Sequence, residues 1–333
     1  MQIMGKKLIG IGSLLFFSAS SALANYDQHE RTEEFIAEAS KEYKLNPDEL
    51  RSWLSQAEKM DSVLEAIQRP AEKVLEWDGY QDIFLTSKRI SAGKAFMEKH
   101  ADLLAAAEKE YGVSKEIIAA IIGVETFYGT RQGGYRVLDS LSTLAFDYPK
   151  RPLFWRELKA FFALAEKEGL DPATIKGSYA GAMGYGQFIP SSYRAYAVDF
   201  DDDGQADIVT NVVDAIGSVA NYFARHGWRN GEPVVAGAVL SESVDDSLFN
   251  AGLKPVKTIA DLKKAGIGSD RKLAADAKAT AMKLDGDDGD EYWVGLHNFY
   301  VITRYNHSAM YAMAAHQLSQ MVAAKYHSEV ASN

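Results

Sequence analysis

The segment Ser114-Lys-Glu-Ile-Ile-Ala-Ala-Ile-Ile-Gly-Val-Glu125-Thr-Phe-Tyr-Gly129 is apolar on nearly every side. A helix of that pattern is stable only when other elements cover it all round, so the chain must build a multi-helix core about this segment. The chain has no cysteine, so that core must hold by burial alone, without disulfides. One residue breaks the apolar pattern. Counting back four and seven positions puts Ile121 and Ile118 on the face of Glu125, so its carboxyl emerges against apolar neighbours near the helix end. Desolvation there raises a carboxyl pKa and favours the protonated acid. Spacing alone leaves a second reading open, in which Glu125 reaches solvent or pairs with Arg131.

Helical signals recur along the rest of the chain. Asn46-Pro47-Asp48-Glu49 combines an N-cap, a proline at the first helical position and two first-turn acids, so a helix starts there. Further helices are predicted around Ala92 to Tyr111, Phe154 to Lys167, Val212 to Arg225 and Ser308 to Lys325. Between Trp228 and about Trp293 the texture changes to a β-like run, Pro233 to Leu240, followed by the acidic turn Asp285 to Glu291, read as solvent-exposed. The expected fold class is therefore mainly α, formally α+β, with a small mixed insert.

At the N-terminus Lys6 and Lys7 precede an apolar run from Leu8 to Phe17 and then Ala22-Leu23-Ala24, the pattern of a cleaved secretory signal. The run is too short for a bilayer core of roughly 30 Å. With no cysteine to carry lipid, the exported product is expected to be soluble. A formal net charge of -10 argues against nucleic acid as a partner, because such binding draws on neutralised phosphates. The seven histidines show no His-Glu-x-x-His spacing, and no Gly-x-Ser-x-Gly elbow marks Ser178 or Ser192 as a nucleophile.

A second dense stretch, Lys176 to Tyr193, places Gly181, Gly184 and Gly186 among aromatic and amide side chains. Glycines let a ligand or a second backbone come close, and aromatic faces beside amides suit a sugar. A glycine-rich packing turn is the alternative. The run Asp199-Phe-Asp201-Asp-Asp203-Gly204-Gln205 begins like an EF-hand, with oxygen ligands at alternate positions and a glycine at the bend. Position twelve is Thr210, so the usual closing glutamate is missing. Three alternating aspartates repel one another without a cation, which favours a structural calcium ion over a solvated turn.

Ile121-Ile-Gly-Val-Glu-Thr126, Gly181-Ala-Met-Gly-Tyr-Gly-Gln-Phe188, Asp214 to Tyr222 and Asn298 to Asn306 together resemble the B-type lytic murein transglycosylases, over most of the chain and in the expected order. The resemblance implies a lysozyme-like catalytic core, a helical flanking region and a small β-containing insert. It divides the chain into a signal peptide (1–24), a helical flank (25–100), a core with a calcium loop (101–227), an α/β insert (228–297) and a segment completing the core (298–333). It implies cleavage of the β-1,4 bond between N-acetylmuramic acid and N-acetylglucosamine in peptidoglycan, leaving 1,6-anhydromuramic ends. Glu125 would be the single acid/base, with no cofactor for the chemistry.

By the same match Tyr80, Ser178, Gln187, Phe188, Tyr222, Tyr305, Asn306 and Tyr311 would face the glycan, and Lys150 and Arg151 would meet anionic parts of the muropeptide. Each tyrosine has an alternative as a core residue with its hydroxyl hydrogen-bonded. Asp199, Asp201, Asp203, the Gln205 carbonyl and Asp214 would hold calcium. Lys150 stands where the family often has arginine, and Phe154 where tyrosine is common, two departures on the peptide side. A periplasmic monomer is expected, with peptidoglycan strands and other cell-wall enzymes as partners. Two other readings stay open. One is a hydrolytic muramidase, which needs a second carboxylate, with Asp139 and Asp147 as candidates; the other is a non-catalytic peptidoglycan-binding protein.

Overall fold

The computed structural model describes residues 25–68, 75–148 and 151–330. The signal segment and Lys150 lie outside the described residues. In the N-terminal part, α1 (Thr32–Tyr43), α2 (Pro47–Ser55) and α3 (Asp61–Gln68) precede α4 (Trp77–Phe84), α5 (Ser87–Lys99) and α6 (Ala101–Tyr111). The Asn46 side chain accepts the amide of Asp48 at 2.9 Å with Pro47 at the first helical position, the cap its sequence predicts. The single helix expected from Ala92 to Tyr111 is two. His100 leaves helical geometry (φ -118, ψ 27), closing α5 and opening α6, while its ring packs on Phe96 at 4.7 Å. Helix periodicity runs straight through the break because only one residue departs from it.

The apolar segment forms α7 (Lys115–Thr126), buried from Ile117 to Val124. It ends in two consecutive left-handed residues that are not glycine, Phe127 (φ 50) and Tyr128 (φ 58). Such geometry costs on the order of 1–3 kcal/mol per residue and persists only where surroundings enforce it. Those surroundings include Arg89, whose buried guanidinium donates to the Gly123 carbonyl and lies 4.9 Å from the Phe127 ring. A cation at the last turn of a helix complements its dipole.

Next come the two-residue strand β1 (Tyr135–Arg136), α8 (Val137–Asp147), α9 (Pro152–Glu168) and β2 (Lys176–Gly177), which pairs antiparallel with β1. Then follow α10 (Pro190–Tyr196) and α11 (Val212–Arg225), the latter capped by Asn211, whose side chain accepts Val213 N at 2.9 Å. The chain ends with α13 (His297–Tyr305) and α14 (Ala309–Val330); α14 packs on α4, α5, α7 and α13.

Between α11 and α13 a five-stranded antiparallel sheet forms from β3 (Val235–Leu240), β4 (Lys257–Thr258), β5 (Ile267–Ser269), β6 (Lys278–Gly286) and β7 (Gly289–Gly295), in the order β4-β6-β7-β3-β5, with α12 (Ile259–Lys264) beside it. It has a small core of its own, including Phe249, Leu262, Ile267 and Val294. The acidic turn is the tip of the β6–β7 hairpin, and one end of it is not solvent-exposed as expected: Glu291 is half-buried and accepts the indole N–H groups of Trp77 (3.1 Å) and Trp293 (3.0 Å). Buried indole donors require acceptors, and this carboxylate serves two. Among the described residues no helix is long and apolar enough to cross a membrane.

Candidate active site

Glu125 sits in the last turn of α7, and Ile118 and Ile121 on its face are fully buried. The residue as a whole keeps part of its accessible surface, while its carboxyl is desolvated. Burial among apolar atoms pushes its pKa from 4.5 up to about 7, against the opposing effect of a hydrogen bond from Tyr311. Tyr311 Oη donates to Glu125 Oε1 at 2.6 Å from the first turns of α14, 186 positions away in sequence. Burial, reinforced by the nearby Glu125 charge, holds the Tyr311 phenol well above its ordinary pKa, so it stays a neutral donor. The same two causes raise Tyr305.

The glycine-rich segment reaches this site through backbone contacts. Thr126 Oγ1, next in sequence to Glu125, lies 2.9 Å from the Tyr185 carbonyl and accepts Gly129 N at 2.9 Å. Tyr305 Oη donates to the Gly186 carbonyl at 2.5 Å, and a Cβ at position 186 would meet that hydroxyl at 2.7 Å. Glycine is required there because the phenol occupies the space of a side chain. Met183 and Phe188 exchange backbone hydrogen bonds at 2.9 and 3.0 Å, closing the glycine turn between them. The bridging role of the fully buried Thr126 escapes a reading of the residues, because a threonine at a helix end carries no charge or periodic signal; only its place in the Ile121 to Thr126 motif marks it.

The residues expected to face glycan differ widely in exposure. Phe188 and Tyr222 are buried, in an aromatic cluster where Tyr222 lies 4.7 Å from Tyr305 and 4.0 Å from the His226 ring. The Tyr222 hydroxyl donates to the Arg304 carbonyl at 2.5 Å. Both rings pack against Tyr305, Phe188 at 5.7 Å and Tyr222 at 4.7 Å, and are held largely by burial. Gln187 turns its amide group inward, donating to the Gln132 and Gly184 carbonyls at 3.0 Å each. Ser178 Oγ accepts Ala182 N at 3.0 Å while the residue stays partly exposed. Asn306 is exposed where α13 ends, and Tyr80 is half-buried against Phe84 at 5.3 Å on α4, which packs on α14. Arg151 is exposed at the start of α9, whose main contacts are α8 and α10 rather than α7 or α14.

The two carboxylates considered for hydrolysis are committed elsewhere. Asp139 takes two 2.6 Å hydrogen bonds from Arg136 and the amide of Glu58 at 2.9 Å. Asp147 accepts the Tyr26 hydroxyl at 2.6 Å and Lys59 Nζ at 3.2 Å. Both brace α8 against the N-terminal segment.

In the acidic loop Asp199, Asp201 and Asp203 each bring an oxygen within 4.8 Å of the other two. An all-oxygen, carboxylate-rich set of this kind fits a calcium ion in donor type and charge. Asp214, expected to close the site, lies beside it, since Asn211 Nδ2 donates to Asp214 at 3.3 Å and to Asp201 at 2.9 Å. It is fully buried and accepts Phe200 N at 2.7 Å and Asp207 N at 2.8 Å, clasping the loop backbone. Burial raises its pKa, and those two amides offset part of the rise. Gln205 is exposed, its amide donating to Asp203 Oδ1 at 2.9 Å. The loop also touches the glycine-rich segment, since Tyr185 N donates to the Ile208 carbonyl at 3.2 Å.

A family model described as "Transglycosylase SLT domain" matches residues 27–320. Membrane-bound lytic murein transglycosylase B of Escherichia coli (strain K12) is 42% identical over 309 residues, covering 90% of this chain and 84% of that protein. Among solved structures, the catenated lytic transglycosylase SltB1 from Pseudomonas aeruginosa superposes with a TM-score of 0.88 at 50% identity, covering 90% of this chain and 99% of that one. The Escherichia coli lytic transglycosylase Slt35 in complex with calcium gives a TM-score of 0.81 at 42% identity, covering 90% and 94%.

Proposed function

The chain belongs to the SLT-domain transglycosylases, and from that membership we propose that Glu125 alone carries the acid/base chemistry of its reaction. The protein is a peptidoglycan-cleaving lytic transglycosylase with a mainly α, lysozyme-like fold. The observation that carries the assignment is the pairing of Glu125, its pKa raised to about 7, with a tyrosine donor on one carboxyl oxygen. Tyr311 occupies Oε1, and Oε2 has no protein partner among the described residues, which frees it for the proton to be transferred.

The protonated carboxyl gives its proton to the bridging glycosidic oxygen, and the C1–O bond of N-acetylmuramic acid breaks. The resulting carboxylate then takes the proton of the muramyl C6 hydroxyl as that oxygen bonds to C1, closing the 1,6-anhydro ring. The proton gained equals the proton given, and no water is consumed. A hydroxyl of the same sugar acts at high effective concentration, so no second carboxylate is needed to activate a nucleophile. The structural commitment of Asp139 and Asp147 favours this route over hydrolysis. Ser178, Tyr305, Asn306 and Tyr80 are the partly exposed or exposed side chains proposed to line the glycan path. Lys150 and Arg151 remain candidates for the acidic peptide stem.

Asp199, Asp201 and Asp203 would hold a calcium ion, as supported by their grouping and by the calcium complex of the Slt35 relative. When bound, the ion supplies charge neutralisation to a loop that braces the glycine-rich segment, and it takes no part in bond cleavage. The periplasm is the proposed location, since murein is the substrate of the related Escherichia coli enzyme. Digestion of purified sacculi followed by mass spectrometry of the fragments tests the reaction. Fragments ending in 1,6-anhydromuramic acid are expected, and reducing muramic ends would replace the reading with hydrolysis.

A further inference from the structure

A concavity of about 660 Å³ lies at the opposite end of α7 from Glu125, between the five-stranded sheet and the middle of α14. Ser114 and Ile117 line it, and the eleven residue steps from Ser114 to Glu125 put roughly 16 Å of helix between the two places. Its walls carry two half-buried indoles, Trp228 and Trp293, the amides of Gln317 and Gln320, the Arg271 guanidinium and the His316 imidazole. The Trp293 ring is fixed by its bond to Glu291, and Trp228 rests edge-on against Phe223 at 5.8 Å. His316 Nδ1 is buried without a hydrogen-bond partner, an uncommon and costly state for a polar ring atom. Burial pushes the imidazole pKa down to about 4, so the ring is neutral and offers one donor and one acceptor.

We propose that this concavity is a non-catalytic glycan site, which takes an N-acetylated amino-sugar unit of the same peptidoglycan strand network that the active site cleaves.

The lining selects that ligand class. Indole faces cover the apolar faces of sugar rings, while amides and a neutral imidazole pair with hydroxyl and acetamido groups. A phosphate or polyanion is disfavoured because the single lining guanidinium, Arg271, lies 3.6 Å from Asp270. The volume falls within the usual range of small-ligand sites, about 300–1,000 Å³. Because the substrate is a polymer, holding one strand here while another segment meets Glu125 raises the local concentration of cleavable bonds. The proposal rests on peptidoglycan being the substrate and adds a second place where it is held.

The test uses the full chain in the Glu125→Gln background, so that binding is read without turnover. A β-1,4-linked N-acetylglucosamine tetramer is titrated while the His316 ring signals are followed by NMR. Saturable shifts are expected; unmoved ring signals at millimolar tetramer overturn the proposal. A free stem peptide without sugar is titrated in parallel, and a His316 response to it but not to the tetramer overturns the glycan assignment. In a second arm, Arg271→Ala combined with Gln320→Ala is expected to weaken sacculus binding by ~10-fold. With Glu125 intact, the same pair leaves turnover of a short soluble glycan unchanged. Undiminished sacculus affinity in the double variant also overturns the proposal. Failure of the catalytic assignment reads out separately, as sacculus digestion that survives Glu125→Gln.

Discussion

Glu125 and the Asp199–Asp203 loop are two acidic places in one molecule that meet the cost of negative charge in opposite ways. Glu125 is a lone carboxyl against fully buried isoleucines, and its environment favours adding a proton, with a pKa raised to about 7. The loop gathers three carboxylates at a largely exposed edge, where adding a cation is the remedy. Desolvation of one charge makes an acid; crowding of several in water makes a metal site. Asp214 is a third solution, a fully buried carboxylate satisfied by two backbone amides. Function therefore follows from what surrounds a carboxylate more than from its presence.

The sharpest way to break this contrast is to remove one carboxylate from each place. Glu125→Gln is expected to lower release of anhydromuropeptides by ~10³-fold or more, within the range assigned to a general acid that also serves as base. Asp203→Asn, assayed on the same sacculi at 25 °C, should retain activity within a few-fold of the parent. Equal losses in the two variants would mean that the loop takes part in the chemistry and that the division is wrong.

A raised pKa also makes a statement about stability. Below pH 4.5 Glu125 is protonated in both folded and unfolded chains and costs nothing. Between 4.5 and about 7 the unfolded chain ionises first, so stability falls with rising pH, and above that window the full cost is present. The cost is on the order of 3 kcal/mol. Glu125→Gln should thus raise Tm by about 5 °C at pH 8 and leave it unchanged at pH 4. A gain of the same size at both pH values would show that the carboxyl is not desolvated. In the loop the dependence is on cation instead: calcium at a hundred times its Kd is expected to add ~2.7 kcal/mol, or about 4 °C in Tm. Asp203→Asn should abolish that increment, and an unchanged response would place the ion elsewhere.

How legible these regions are from the chain depends on whether their contacts are local. Glu125 is visible because a charge interrupts an apolar helix within one window of sequence. Its partner Tyr311 lies 186 positions away, and only the family resemblance links the two. The caps of α2 and α11 are readable because they join neighbours. Four strands of the sheet are not, since the Asp- and Gly-rich hairpin tip hides the alternation of β6 and β7 on either side. Asp214 shows a further limit: sequence marks it as an oxygen donor near a calcium-like loop, but its bonds from the amides of Phe200 and Asp207 depend on the backbone path. The burial of Phe188 and Tyr222 is equally silent in the sequence, because an aromatic that meets a sugar and one packed in the core have the same letter.

Asn211 supplies the smallest and most discriminating test, because it touches the loop without being one of its acids. Its Oδ1 accepts Val213 N at 2.9 Å to cap α11, while Nδ2 donates to Asp201 at 2.9 Å and to Asp214 at 3.3 Å. Asn211→Ala removes a cap worth ~1 kcal/mol along with two donors that ease the crowded carboxylates. Urea unfolding should show the loss as a lower midpoint, larger in chelator than in calcium, because the cation takes over the neutralising role of the amide. Activity per folded molecule should not change, since the Tyr311–Glu125 pair lies on other elements. A fall in turnover matching that of Glu125→Gln would mean that the loop and the acid are one unit, and the separation of structural from catalytic acidity would fail.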